Sequence, residues 1–242
     1  MELRGHMGAP EFIDKLRKQT NWPITDDEMM SRFMYPTRPL LLPPEQTTLI
    51  VSGPPGSGKS TIAKILASQL GFNHLNTDGI RTENPTGSLS FDDEATRQVY
   101  HHLLKKAVVS ILDTEQPRGV VLDGTFPSAI LGDTHSFLTQ LTGGVTPVVI
   151  NVLASAETAW RRMNNRVRKW LTMDEGRGYQ PAVAEHFIRS VVGWGDLATR
   201  MQSATVNILR PLDHFDYFLY PDSVIEFYVR TQILPLYFQF PG

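Results

Sequence analysis

The chain has 242 residues, 41 % apolar and 20 % charged, with a net charge of −2. That is the make-up of a globular protein without a global field to draw it onto nucleic acid or a membrane, so any such partner must be met by a local patch. Cysteine is absent, which excludes disulfides, thiolate catalysis and cysteine-ligated metals. No apolar run reaches spanning length and no signal-peptide pattern occurs, so a cytoplasmic location is expected by default.

Met1–Phe12, with Gly5-His6-Met7 and Glu11-Phe12, reads as a vector-derived leader and is set aside from the fold. Residues 13–45 read as an N-terminal extension and residues 46–242 as the main domain. Within the extension, Thr25-Asp26-Asp27-Glu28 is a helix start with acidic residues in its first turn. Pro36, Pro39, Pro43 and Pro44 then impose extended chain. The extension is expected to pack on the core or to arrange a partner.

Thr48–Val51 is a β-branched apolar run, read as a buried strand, and Thr61–Leu70 has helical spacing closed by Gly71. Between them lies Gly53-Pro54-Pro55-Gly56-Ser57-Gly58-Lys59-Ser60, which fits G-x-x-x-x-G-K-[ST] at every fixed position. Phe72–Asn76 is a short second strand, and Thr77–Arg81 leaves its C-terminal end. Asn84–Ser90 reads as loop and Phe91–Glu115 as a long helix. Gly119–Asp123 is a third strand that ends in a carboxylate, followed by a loop and a helix over Ala129–Leu141. Thr146–Leu153 is a uniformly apolar fourth strand, as expected where both faces are covered. Ser155–Trp170 is a helix with Ser155 at its N-cap, and Thr172–Gln180 is a mobile loop. Pro181–Gln202 is another helix, Phe215–Tyr220 a fifth strand and Asp222–Ile233 a closing helix. Strands alternating with helices predict a parallel sheet.

The glycine loop has a specific physical logic. Glycines let backbone N–H groups turn inward with no Cβ in the way, and the new helix adds orphan N–H groups and a positive dipole end. A polyphosphate therefore settles over Gly53–Thr61. Lys59 is placed to reach the β- and γ-phosphates, and the Ser60 hydroxyl to hold Mg²⁺. ATP or another nucleoside triphosphate is the expected donor.

Three further signals lie near strand ends or on one helix. Asp78, at the end of the second strand, is placed to take a proton from a hydroxyl attacking the γ-phosphate, with Arg81 one turn on to hold the acceptor; the same residues also suit a capped helix with an internal pair. Asp123 is a candidate Mg²⁺ ligand or a carboxylate capping its loop. Arg162 and Arg166 are four apart and share a helix face among Arg161, Arg168 and Lys169. They suit either charge neutralisation in a transition state or a solvated basic face. Trp170, Tyr179 and Trp194 offer stacking surfaces or core packing. The adjacent His101 and His102 point to different helix faces, which argues against joint metal binding.

Taken together, Gly53–Thr61, Asn76-x-Asp78-x-x-Arg81, Gly119–Asp123 with Thr125, and Trp160–Arg166 resemble the kinase domain of polynucleotide 5′-hydroxyl kinases. They also resemble the related zeta-toxin-like and chloramphenicol-phosphotransferase-like small kinases. The resemblance runs over roughly Thr47–Arg168. It implies a three-layer α/β P-loop fold with a mostly parallel, about five-stranded sheet and a helical lid. It further implies Asp78 as general base, Arg81 on the acceptor side, and Arg162 and Arg166 on the donor phosphates. The acceptor is then a hydroxyl, either a single-stranded nucleic-acid end or a sugar, nucleotide-sugar or antibiotic; a nucleotide-gated binding module is the non-catalytic alternative. No N-K-x-D segment points to a GTPase. Gly124 follows Asp123 where a hydrolytic enzyme would carry a water-activating glutamate, which favours transfer over hydrolysis.

Overall fold

The strands Thr48–Ser52 (β2) and Val120–Gly124 (β4) are buried at every position, and Val148–Val152 (β5) at all but its first. Runs of this kind require cover on both faces, and a parallel sheet with helices on each side supplies it. The computed structural model describes residues 9–19, 22–32, 40–41, 47–83, 93–113, 119–172, 206–208 and 238–239. In it, Asn73–Asn76 (β3), β4, β2, β5 and Val206–Ile208 (β6) form a five-stranded sheet in that spatial order, all neighbours parallel. Leu40–Leu41 (β1) pairs separately with Phe238–Gln239 (β7).

The connections are Lys59–Leu70 (α3) after β2, Thr77–Glu83 (α4) and Asp93–Ile111 (α5) after β3, Ser128–Leu141 (α6) after β4, and Ala156–Thr172 (α7) after β5. Strand alternation then sorts the core into two layers. Leu49, Val51, Val121, Ile150 and Val152 pack with Ile62, Ile65 and Leu66 of α3. Ile50, Val120, Leu122 and Val149 pack on the other face with Leu103, Leu131, Leu138 and Trp160 from α5, α6 and α7. Each such large apolar side chain stabilises the fold by about 1.5–3 kcal/mol when buried. The architecture is thus three-layered, as expected.

Register fixes where chemistry can occur. Val51 is level with Asp123, Asp123 with Asn76, and Ser52 with Gly124. The C-terminal ends of β2, β3 and β4 therefore emerge side by side, and ligand sites in such sheets form at these ends.

Several expectations change. The fifth strand is Val206–Ile208, while Phe215–Tyr220 lies outside the described residues, as do 173–180, 181–202 and 222–233. Thr77–Glu83, the segment that leaves the second strand, is a short helix. A helix over Ala9–Gln19 (α1) begins inside the segment set aside as a leader, and its Leu16 is fully buried. Asp26–Arg32 (α2) starts where the acidic turn predicts. Leu16, Trp22, Ile24 and Met29 join the core beside α5–α7, so the extension packs on the domain. Among the described residues no helix is long and apolar enough to cross a membrane.

Candidate active site

The glycine loop closes over its own backbone. Ser57 N–H donates to the Pro54 carbonyl at 3.2 Å, and Gly56 and Gly58 take φ of 81° and 95°, a region that favours glycine. The loop also leaves no room at two positions. A Cβ on Gly53 would sit 2.5 Å from the Val152 carbonyl oxygen, and one on Gly56 2.5 Å from that of Ala159 in α7. Lys59 opens α3 and its Nζ donates to the Pro54 carbonyl at 3.4 Å. Desolvation pulls its ammonium below the ordinary lysine value; the charges of Asp123 and Asp78 oppose that pull, and Arg166 adds to it. A polyphosphate anion there would favour the charged form.

Asp123 is 2 % exposed. Its Oδ2 lies 3.2 Å from His74 Nε2, while its Oδ1 has no hydrogen-bond partner among the described residues. A buried carboxylate oxygen left open beside the loop is costly unless something else meets it. Hard-oxygen donors from Asp123 and the Ser60 hydroxyl suit Mg²⁺, and the orphaned Oδ1 fits such a group. Among the described residues there is no cluster of three or more acidic or histidine ligands.

Asp78 sits exposed in the first turn of α4. The turn is set by Asn76, whose Oδ1 accepts from Gly79 N–H at 2.5 Å. Arg81 is 7 % exposed, and its charge acts on the buried Tyr100 hydroxyl. Burial pushes that phenol well above its ordinary value, so it stays neutral; it accepts the Phe126 N–H at 2.8 Å. Phe126 is fully buried, meets the Tyr100 ring in a tilted contact at 4.9 Å between centroids, and has φ 44°, a strained setting for a side-chain-bearing residue. Ser52 Oγ pins the same loop by donating to the Thr125 carbonyl at 2.9 Å.

From α7, Arg162 Nη1 donates to the Gly56 and Ser57 carbonyls at 3.1 and 3.2 Å. Arg166 is exposed one turn on and near enough for its charge to act on Lys59. The side chains of Arg168, Lys169 and Trp170, and residues Tyr179 and Trp194, lie outside the described set. The charges of Asp123, Asp78 and Arg166 all act on Lys59 and Arg162 holds the loop, while the buried Arg81 acts on the Tyr100 hydroxyl together with Asp123 and Asp78. Sequence reasoning gave no role to Asn76, His74 or Tyr100. An Asn just ahead of an acidic helix start is a cap signal that could have found the first. Nothing local marks the other two.

Comparison with known proteins finds the AAA domain family matching residues 52–175. The chain is 29 % identical over 125 residues to the adenylate kinase of Borreliella burgdorferi, covering 49 % of this chain and 57 % of that protein. It is 66 % identical over 29 residues to the cytidylate kinase of Thermotoga maritima, covering 12 % and 13 %. The chain thus spans under two thirds of these relatives. Among solved structures it is similar to a gluconokinase from Sinorhizobium meliloti, at TM-score 0.47 and 16 % identity over 74 % of this chain and 86 % of that one.

Proposed function

The chain belongs to the AAA domain family, and from that premise we propose that it is an ATP-dependent phosphotransferase that moves the γ-phosphoryl group to a hydroxyl acceptor. The observation that carries the proposal is the level register of β2, β4 and β3. It brings the complete phosphate loop, the open Asp123 oxygen and the exposed Asp78 to one end of the sheet.

In this reading the backbone N–H groups of Gly53, Pro55–Ser57 (proline excepted), Gly58, Ser60 and Thr61 cradle the donor phosphates. Lys59 neutralises their charge. Mg²⁺, held by Ser60 and Asp123, would add Lewis-acid charge at the same phosphates. Asp78, exposed to solvent, accepts the acceptor's proton as its oxygen attacks the γ-phosphorus and the bond to the bridging oxygen breaks, releasing the nucleoside diphosphate. Arg162 and Arg166 offset the charge that develops on the transferring group. Arg81 is buried, so an acceptor group that it holds must enter the site rather than pass over the surface. Gly124 after Asp123 places no carboxylate there to activate water.

For the acceptor we propose the 5′-hydroxyl of a polynucleotide, which the basic run on α7 supports. Similarity to adenylate and cytidylate kinases favours a second reading in which a small molecule is the acceptor. Salt dependence separates them. Anisotropy with a short 5′-hydroxyl oligonucleotide should give a log–log slope of about −0.7 per phosphate contact. No binding at low salt would leave the small-molecule reading.

A further inference from the structure

Residues 22–29 precede the part of the chain that matches the family, yet they hold one of its helices. The first turn of any helix leaves N–H groups without partners. In α7 the N–H groups of Ala156 and Glu157 donate to the carbonyls of Pro23 at 3.0 Å and Ile24 at 2.9 Å. Trp22 Nε1 donates to the Ala154 carbonyl at 3.1 Å, across 132 residues of chain. Ser155 Oγ accepts the Thr158 N–H at 3.2 Å, and the Thr158 hydroxyl faces the Asp26 carboxylate, 3.4 Å from Oδ1 and 3.5 Å from Oδ2.

The segment making these contacts is itself prefolded. The Glu28 Oε2 accepts from the N–H groups of Ile24 at 2.6 Å and Thr25 at 3.2 Å, while Thr25 Oγ1 accepts from Glu28 N–H at 3.2 Å. This is a reciprocal capping box. Trp22, Ile24 and Met29 are at most 6 % exposed, which anchors it to the core.

One turn further along α7 the helix meets the phosphate loop. Gly56 is packed against the backbone of Ala159, and Arg162 holds the Gly56 and Ser57 carbonyls. The helix carries any displacement of its first turn to Arg162, about 9 Å on. We infer that residues Trp22–Met29 are a strap that seats the first turn of α7, and that Trp22 is a positioning residue for Arg162 at the phosphate loop. The inference rests on that loop binding nucleotide.

The test is MgATP affinity by calorimetry in a double-mutant cycle of Trp22→Phe and Arg162→Ala. Trp22→Phe keeps a buried ring and deletes one donor. In the wild-type background it should weaken MgATP by about 5-fold, the worth of one hydrogen bond. In the Arg162→Ala background it should cause no further loss. Asp26→Ala should give the same pattern, which keeps the test open if the Trp22 variant unfolds. Equal losses in both backgrounds, or no loss in either, would overturn the strap alone. A wild-type protein that does not bind MgATP, or is indifferent to Lys59→Ala, would overturn the nucleotide site and the strap with it.

Discussion

Replacing Gly56 by alanine probes the contact between the phosphate loop and α7. At φ 81° a Cβ costs about 1–2 kcal/mol from backbone sterics. The same Cβ would lie 2.5 Å from the Ala159 oxygen, 3.0 Å from its Cα and 3.1 Å from its carbonyl carbon. All three are backbone atoms of a packed helix and cannot rotate away, which adds about 1–3 kcal/mol of overpacking. The sum, about 2–5 kcal/mol, lowers Tm by about 4–20 °C in a chain of this size. Gly71 is the control: φ 68°, with nothing within 4 Å of its Cβ. Gly71→Ala carries only the backbone cost, about 2–8 °C. The loop variant must also part from α7 and loosen the Arg162 bonds, so MgATP should bind about 25-fold more weakly, the worth of two lost hydrogen bonds. Gly71→Ala should bind normally. Calorimetric melting and titration of both proteins provide the assay. Two variants that melt alike and bind alike would refute the close approach of loop and helix.

Two further outcomes follow from single carboxylates. Asp123→Asn should raise the Mg²⁺ concentration needed for half-maximal transfer, read by titrating Mg²⁺ at saturating ATP, while leaving the melting temperature nearly unchanged. The Glu28 carboxylate is held below the ordinary range by hydrogen bonds from Ile24 and Thr25, opposed by desolvation and aided by Arg17. Its folded value lies below its unfolded one, so its stabilisation is complete above the unfolded pKa and disappears as pH falls through the folded one. The Tm gap between wild type and Glu28→Gln should thus be present at neutral pH and close in acid.

The phosphate loop was legible because its requirements are local: turns, an N-terminus and a lysine within eight residues. Asp78 and Asp123 were placed by the rule that parallel strands present their ends to ligands; in the register Asp123 stands level with Val51 and Asn76. What the sequence could not show are contacts between distant segments. Trp22 meets Ala154 across 132 residues, and His74 meets Asp123 across 49. Arg81 is buried and its charge acts on Tyr100, which no spacing near Arg81 announces. Phe12, Ile13 and Leu16 carry helical spacing, but the vector-like composition around them masked it. Val206–Ile208 is too short to register as a strand, and the strand expected at 215–220 lies outside the described residues.

The central claim is transfer to a hydroxyl with Asp78 as base. The direct measurement follows γ-labelled ATP and Mg²⁺ with 5′-hydroxyl oligonucleotides and a panel of hydroxylated metabolites, in wild type, Lys59→Ala and Asp78→Asn. The account predicts label on one acceptor class, abolished by Lys59→Ala, and kcat lowered by about 10²–10⁴ in Asp78→Asn with MgATP affinity retained. Label appearing only as inorganic phosphate, at a rate that Asp78→Asn leaves unchanged, would contradict it.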